Sequence, residues 1–232
     1  MGDIDLISAW EVARGQPPVW RGVTILAAHG AEAPQLFGVG AREAGVLAVY
    51  RELIGERLDC EAHCDTCGER LEFSLTPQDL AAPSGAASPR VDVDGWTVTV
   101  RVPTTEDVAW AIDQPDPNAA LFRRCVVAAA RNGVEPPTGC LPAFVRDACE
   151  RRLDELAPLA NVDVELACPA CGQAGRAPLD ISAFVLTALH QWVATRLNEV
   201  ARLCHAYGWA ETDVLTMSRW RRRFYLAQLG EL

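Results

Sequence analysis

The sequence predicts an α+β fold that is mainly helical, and three of its features support this class. The motif CxxCG occurs twice, at residues 64–68 and 168–172. Residues 95–103 alternate apolar and polar side chains, as a half-buried strand does. Beyond Pro178, apolar residues recur at intervals of three and four, the spacing of a long amphipathic helix. Together they predict a split cysteine core with short β-strands, an inserted strand-plus-helices section and a long C-terminal helix.

Composition is that of an ordinary globular protein. The chain has 232 residues, of which 50% are hydrophobic and 22% are charged, enough for a substantial core. No apolar run approaches the ~18 residues of a membrane span. The acidic N-terminus lacks the basic segment of a signal peptide. We therefore expect a cytoplasmic protein without a membrane partner.

The charge of the chain argues against a general affinity for polyanions. The formal net charge is −10, which disfavours contact with nucleic acid and anionic membranes. All 21 basic residues are arginine, because the sequence contains no lysine. Chemistry that needs a lysine, such as Walker A phosphate binding or a Schiff base, is excluded.

The first section, residues 1–75, is predicted to contain N-terminal helices and the first CxxCG motif. Two short apolar-periodic segments, DLISAWEVAR and VTILAAHG, precede a longer helical segment over residues 41–55. After the motif, RLEFSL alternates as a strand does.

The second section, residues 76–160, is predicted to be an insertion of one strand and several helices. It opens with a Pro-, Ala- and Ser-rich loop over residues 76–90. The strand at residues 95–103 leads into TTEDVAWAID, whose threonine and early acids favour a helix start. Further helices are expected near residues 118–131 and 142–156.

The third section, residues 161–232, is predicted to hold the second motif and the C-terminal helices. NVDVELAC alternates as a strand and leads into the motif. Residues 180–207 are expected to form a helix of roughly 40 Å at 1.5 Å per residue, ended by Gly208. Two short helices follow, and Ser218 is expected to cap the second. The three sections are expected to fold as one cooperative unit.

The four cysteines of the two motifs are the candidate metal ligands. CxxC spacing lets one tight turn point two thiolates at a common centre, and the glycine supplies the positive φ that such turns often need. Two turns together provide the four ligands of a closed tetrahedral zinc site. Their separation in the chain is tolerable because loop-closure entropy grows only logarithmically. We predict one structural zinc ion per chain, held by Cys64, Cys67, Cys168 and Cys171.

The sequence leaves other interpretations of the cysteines open. Redox-active CxxC pairs usually begin a helix, whereas extended sequence follows the first pair here. The thiols could also be unrelated to one another, and Cys60 and His63 lie close enough to substitute as ligands. The remaining cysteines stand alone and are expected to be small core side chains: Cys125, Cys140, Cys149 and Cys204.

Several common catalytic and cofactor-binding motifs are absent from the sequence. Four thiolates leave a zinc ion no open coordination position for a substrate. The deaminase signature fails, because Ala167 precedes Cys168 and no His-x-Glu occurs. HExxH, GxSxG and GxGxxG do not occur either. We therefore expect a non-enzymatic protein without a small-molecule substrate.

The segment RWRRRFY, residues 219–225, interleaves four arginines with three aromatic residues. This pattern is compatible with nucleic-acid or phosphate binding. In a chain of this negative charge we instead expect an amphipathic helix, with Trp220, Phe224 and Leu226 inward and the arginines solvated or paired with acids. A surface for a protein partner is the best functional alternative.

The order of several segments resembles a known family. GAREAGVLAVYRELIGERLDCEAHCDTCGERLEFSL, DGWTVTVRVPTTEDV, LACPACGQAGRAPLDISAF, EVARLCHAYGWAETDVL and RRRFYL together resemble the T-even-phage-type baseplate hub assembly chaperone family. The resemblance runs from Gly40 to Leu226, and the two CxxCG motifs and AYGW are its most specific parts. Departures are Asp65, where a proline is common, a missing tryptophan at residues 184–186 and a missing histidine in EVARL.

Members of that family are encoded with contractile phage tails and phage-tail-like injection systems. The resemblance implies a non-enzymatic assembly chaperone, or a minor structural component, of the baseplate hub or spike. Its partners would be hub and spike proteins, and it would be cytoplasmic or incorporated in the assembled particle. A zinc-ribbon regulator that binds nucleic acid is the alternative, which a continuous positive stripe around RWRRRFY would favour. A thiol oxidoreductase would instead need an exposed cysteine of low pKa and no metal.

Overall fold

The computed structural model describes residues 3–80, 88–134 and 141–230, and helices dominate an α+β arrangement with small sheets. The predicted fold class is confirmed. The helices are α1 (Asp3–Gly15), α2 (Pro18–Ala28), α3 (Val39–Leu53), α4 (Thr105–Ile112), α5 (Pro117–Cys125), α6 (Ala143–Leu156), α7 (Ile181–Tyr207), α8 (Glu211–Thr216) and α9 (Arg219–Gln228). The strands are β1 (Leu58–His63), β2 (Arg70–Leu75), β3 (Arg90–Val93), β4 (Trp96–Val100), β5 (Val126–Arg131), β6 (Val162–Ala167) and β7 (Ala174–Leu179).

Two matching hairpins carry the CxxCG motifs. β1 pairs antiparallel with β2, and β6 pairs antiparallel with β7. Each of these four strands has six residues. The last pair before each turn is His63 with Arg70 in the first hairpin and Ala167 with Ala174 in the second. Because the two registers correspond residue for residue, each motif forms the turn at the tip of its hairpin.

The bases of both hairpins lie against the main helical core. That core is built from the buried faces of α1, α2, α3 and the first half of α7. At the ends of the strands farthest from the turns, Leu58, Leu75, Val162 and Leu179 contribute to it. Toward the tips the side chains of these strands are half-buried or exposed. The hairpins are therefore anchored at the base and have little core at the tip.

The insertion between the hairpins has a core of its own. β4 presents Trp96, Val98 and Val100 inward, as its alternation predicts. These side chains pack with apolar residues of β3, α5 and α6, including Val145 and Cys149, which are fully buried. The predicted opening loop of this section lies partly outside the described residues, at 81–87.

The predicted helix over residues 118–131 is wrong in its second half. Helix α5 ends at Cys125, and the chain continues directly into β5, which pairs antiparallel with β4. The three alanines of VVAAAR favour a helix. The open edge of β4 offers a row of backbone hydrogen bonds instead, and tertiary pairing outweighs the local propensity.

The long C-terminal helix begins and ends at capping residues. The Asp180 side chain accepts a hydrogen bond from the Ala183 amide (2.9 Å), and Gly208 ends α7 with φ +66°. The predicted bounds of α7 are therefore confirmed. Within the described ranges, no helix combines the length and the apolar character that a membrane crossing requires.

A buried polar network connects the insertion to the helical core. The carboxylate of Glu43, on α3, accepts hydrogen bonds from Ser182 of α7 (2.8 and 3.0 Å) and from neighbouring Arg42 (2.5 and 2.9 Å). The Arg42 guanidinium also donates to the hydroxyl of Thr105, at the start of α4 (2.9 Å). Three elements from distant parts of the chain therefore share one network, and Glu43, Thr105 and Ser182 are all buried.

Asp107 organises the inserted section. Its carboxylate is 2% exposed and accepts hydrogen bonds from Arg101 (2.5 and 3.1 Å), Arg124 (2.6 Å) and the Thr104 amide (2.9 Å). Burial raises the pKa of Asp107. The hydrogen bonds from Arg101, Thr104 and Arg124 outweigh that effect and hold the pKa well below its usual range.

Asp107→Asn should lower the free energy of unfolding by about 1–3 kcal/mol at pH 7, because both arginines lose their charged acceptor. The folded-state pKa lies below the unfolded value of ~3.9, so this contribution is present above that pH and is lost as the pH falls. Urea unfolding at pH 7 and pH 3 should show the difference between wild type and variant shrinking at pH 3.

The control is Asp113→Asn, a change at the exposed C-terminal cap of the same helix. It should change the free energy of unfolding by less than about 0.5 kcal/mol. Equal losses in the two variants, or a difference that does not depend on pH, would contradict the role assigned to Asp107.

Candidate metal centre

The turns of the two hairpins bring four thiols together. The Sγ atoms of Cys64, Cys67, Cys168 and Cys171 all lie within 4.8 Å of one another. The short contacts run between the hairpins, 3.7 Å from Cys64 to Cys171 and 3.6 Å from Cys67 to Cys168. These distances far exceed the ~2.05 Å of a disulfide, and the thiols are free. The cluster could therefore hold a metal ion.

Each turn is closed by the same two backbone hydrogen bonds. In the first, the Cys64 amide donates to the Glu69 carbonyl, and the Gly68 amide donates to the Cys64 carbonyl, both at 2.8 Å. The second turn repeats them at Cys168, with distances of 2.9 and 2.8 Å. This pattern folds the chain back tightly enough for both cysteines of a motif to point in one direction.

The glycine of each motif has a conformation that other residues rarely adopt. Gly68 has φ +74° and Gly172 has φ +73°. In this left-handed region a Cβ would approach the following carbonyl, at a cost of roughly 1–2 kcal/mol. A Cβ would meet no other atom within 4 Å at either position, so the backbone conformation alone accounts for the glycine.

Backbone amides point at the sulfurs. The N–H groups of Cys67 and Thr66 donate to the Cys64 sulfur and lower the pKa of that thiol to about 6. Amide donors of this kind stabilise the thiolate form of a cysteine, whether or not a metal ion is bound to it. The surroundings of Cys64 therefore favour its thiolate form.

The pKa of the second cysteine in each motif is raised instead of lowered. The Glu69 amide lowers the pKa of Cys67, but the thiol of Cys168, burial and the other sulfurs raise it to about 12. For Cys171 the Gln173 amide also lowers the pKa, but burial and the thiols of Cys168 and Cys64 raise it overall. Four adjacent thiols share their protons as a group. A bound cation would reverse the upward shifts, since a coordinated thiol is deprotonated.

The site lies near the surface. Cys168 is 3% exposed and Cys64 is half-buried, whereas Cys67 and Cys171 are exposed. A small cavity of ≈ 60 Å³ lies between the hairpins directly behind the cluster, and Leu71 and Leu166 contribute to its wall. The two tips therefore meet at the thiols, with this cavity between the strands.

The other sequence candidates lie outside this cluster. Among the described residues the four cysteines form a cluster without a further histidine, cysteine or carboxylate. Cys60 packs against the helical core. Cys125 and Cys149 are buried, as expected, and Cys204 is half-buried against the C-terminal cluster of α7, α8 and α9. Cys140 lies outside the described residues.

The orientation predicted for the RWRRRFY helix is wrong. Trp220 is 72% exposed and Phe224 is 49% exposed, whereas Arg222 is buried at 1% exposure. Only Leu226 lies inward as expected. The spacing of Arg222, Tyr225, Leu226 and Leu229 at i, i+3, i+4 and i+7 is the signal that indicates the inward face. Because Arg222 belongs to this set, the inward face is not recognisable as apolar from the sequence.

The chain matches no family model, and no curated protein or solved structure matches it either. The resemblance noted in the sequence therefore stays an expectation.

Gly172→Ala should lower the free energy of unfolding by roughly 1–2 kcal/mol, because it places a Cβ at φ +73° in the second turn. The control is Gly175→Ala, three residues later in β7, where the backbone is not left-handed and a Cβ would meet nothing within 4 Å. That change should be neutral or slightly stabilising. Thermal and urea unfolding of the two variants, prepared identically, measure the difference, and equal effects would contradict the explanation.

Proposed function

We propose that the four cysteines hold one structural zinc ion. The observation that carries this proposal is the spacing of the sulfurs. Four thiolates at Zn–S distances of ~2.3 Å around a tetrahedral ion are about 3.8 Å apart. The two short contacts between the hairpins, 3.6 and 3.7 Å, are close to that value. Thiolate sulfur in a tetrahedral set is the ligand type that favours zinc.

In this proposal the zinc ion fastens the two hairpin tips together. The first hairpin ends at Leu75 and the second begins at Val162, so joining them closes the insertion into a loop. Metal binding would contribute directly to folding free energy, because an unfolded chain does not hold the four thiolates in place. Four protein ligands fill the tetrahedral set, which supports a structural rather than a catalytic ion.

We further propose that the chain is an assembly chaperone, or a minor structural component, of the baseplate hub or spike of a contractile phage-tail-like particle. The order of its segments supports this role, with the paired CxxCG motifs and AYGW as the most specific elements. A closed set of ligands supports a non-enzymatic protein. The exposed aromatic residues of α9 are compatible with a protein that works through contacts with partners.

Thiol chemistry is the second candidate, because the four cysteines are free, two of them are exposed, and their sulfurs lie close together. A redox protein would use the metal-free thiols, whereas a structural site would be isolated with its metal. Metal content of the purified protein therefore separates the two functions.

The role in assembly is tested by co-expression with hub and spike proteins from a contractile particle whose genes adjoin the gene for this chain. A complex that persists through size-exclusion chromatography is expected. Sheath, tube and spike genes next to this gene would support the role as well. Absence of both the complex and such neighbouring genes would overturn it.

The zinc site has its own test. Purified protein should contain about one zinc ion per chain by mass spectrometry of the metal, and Cys168→Ser should abolish it. Because the chain lacks lysine, trypsin can cut it only after arginine. Arg70 and Arg176 lie in the hairpin strands, so cleavage there should become faster when the tips separate.

The matched control is Cys60→Ser, which changes a half-buried cysteine of the first hairpin that lies outside the cluster. It should keep the zinc ion and the wild-type cleavage rate. Freshly reduced wild-type protein without zinc, or a Cys168→Ser variant with full zinc content, would overturn the proposed site.

A further inference from the structure

One face of α9 exposes aromatic rings between arginines. We call it the arginine–aromatic face, and it comprises Arg219, Trp220, Arg221, Arg223 and Phe224, all exposed. At 100° per residue, Trp220 and Phe224 lie near the middle of the solvent-facing side. Arg219 and Arg223 lie along one flank and Arg221 along the other.

The two rings form a single apolar surface. Trp220 and Phe224 are one helical turn apart and stack with centroids 5.7 Å apart and an interplanar angle of 20°. With 72% and 49% of their areas exposed, they leave more apolar surface in water than a scattered single residue would. Aromatic residues and arginine are the side chains most enriched at the energetic centres of protein interfaces.

This surface has a firm support beneath it. Phe224 contacts Tyr225 edge to face at 5.5 Å, and Tyr225 contacts Trp209 in the same manner at 4.8 Å. Trp209 in turn stacks on Tyr207 at 4.5 Å. The rings form a continuous series from the exposed face to the end of α7, so the exposed pair is held in a defined place.

The outward direction of the rings is set by Arg222 on the opposite side of α9. Its guanidinium pairs with Asp3 of α1 and donates to the carbonyls of Val214 (3.5 Å) and Leu215 (3.3 Å). Burying an arginine is favourable only when it is paired in this way. With Arg222 held inward, the helix cannot rotate to bury Trp220.

The arginines of the face have no acidic partner in the described part of the chain. Arg219, Arg221 and Arg223 take part in none of its ion pairs, although the chain carries 31 acidic residues against 21 basic ones. By contrast Arg196, nearby on α7, is paired with Glu199 at 2.5 Å. The three charges are therefore available to a partner.

We propose that the arginine–aromatic face binds an acidic amphipathic segment of a partner protein. Apolar side chains of that segment would cover Trp220 and Phe224, and its carboxylates would pair with the flanking arginines. The ten residues of α9 span ~15 Å, a length that suits a segment of about three helical turns. A nucleic-acid strand would extend beyond this patch onto a chain of net charge −10, which disfavours it. The inference rests on the proposed assembly role only in placing the segment within a hub or spike protein.

The test measures binding of labelled probes to the full-length protein by fluorescence anisotropy. The probes are a helical peptide of glutamate and leucine in an amphipathic pattern, the same peptide with glutamine for glutamate, and a single-stranded oligothymidylate of about 12 nucleotides. The acidic peptide should bind most tightly. Trp220→Ala should weaken binding of the acidic peptide by about tenfold or more. A triple variant in which Arg219, Arg221 and Arg223 are all changed to Gln should weaken it by about the same factor.

Two control variants carry the same kinds of change at other exposed positions. Phe144→Ala removes another exposed aromatic ring, and Arg151→Gln removes an exposed arginine, both on α6. Neither should alter peptide binding. Circular dichroism and zinc content should be unchanged in all variants, because the substituted side chains lie at the surface.

The outcomes separate this inference from the assembly role. No binding of the acidic peptide, equal binding of the glutamine peptide, or binding that survives the α9 changes would overturn the inference. Tighter binding of the oligonucleotide would overturn it in favour of a nucleic-acid surface. A hub or spike complex that forms equally well with the α9 variants would overturn the placing of the segment in a hub or spike protein, while the assembly role would stand.

Discussion

A two-stranded hairpin is marginally stable alone in water, and the described part of this chain contains two that belong to no larger sheet. Leu58 and Leu75 root one hairpin, and Val162 and Leu179 root the other, on the same helical core. At the tips the strands have little apolar surface to share, and four thiols meet there instead. A metal ion in that place would do for the tips what burial does for the bases, as in small domains whose core is insufficient. The glycines, the backbone hydrogen bonds and the matching registers all serve this meeting of the turns.

The insertion is held in place by contacts other than those of the cysteine cluster. Its own core lies around Trp96 and Val98, and Asp107 joins its strand and helices through two arginines. The Glu43 network then links Thr105 at the start of α4 to α3 and α7. A section that folds around its own core can separate the two halves of the cysteine cluster at small entropic cost, since its ends are already held close together.

The features that the sequence predicts are those determined within a few residues. CxxCG spacing, the alternation of β4 and the end of α7 at Gly208 each depend on local chemistry, and the structure has all three. Strands β5 and β7 are different. VVAAAR contains three helix-favouring alanines, and AGRAPL contains Gly175 and Pro178, so neither has the pattern of a strand. Both are strands because a partner strand offers its edge, and that partner is not visible in the local pattern.

Helix α9 shows the same limit at the protein surface. Its helical wheel offers two inward faces, one with Trp220 and Phe224 and one with Arg222 and Leu226, and hydrophobicity alone selects the first. The structure selects the second, because Asp3, 219 positions away in the chain, supplies the carboxylate that makes a buried Arg222 favourable. Burial of the arginine and exposure of the tryptophan are therefore two results of one ion pair.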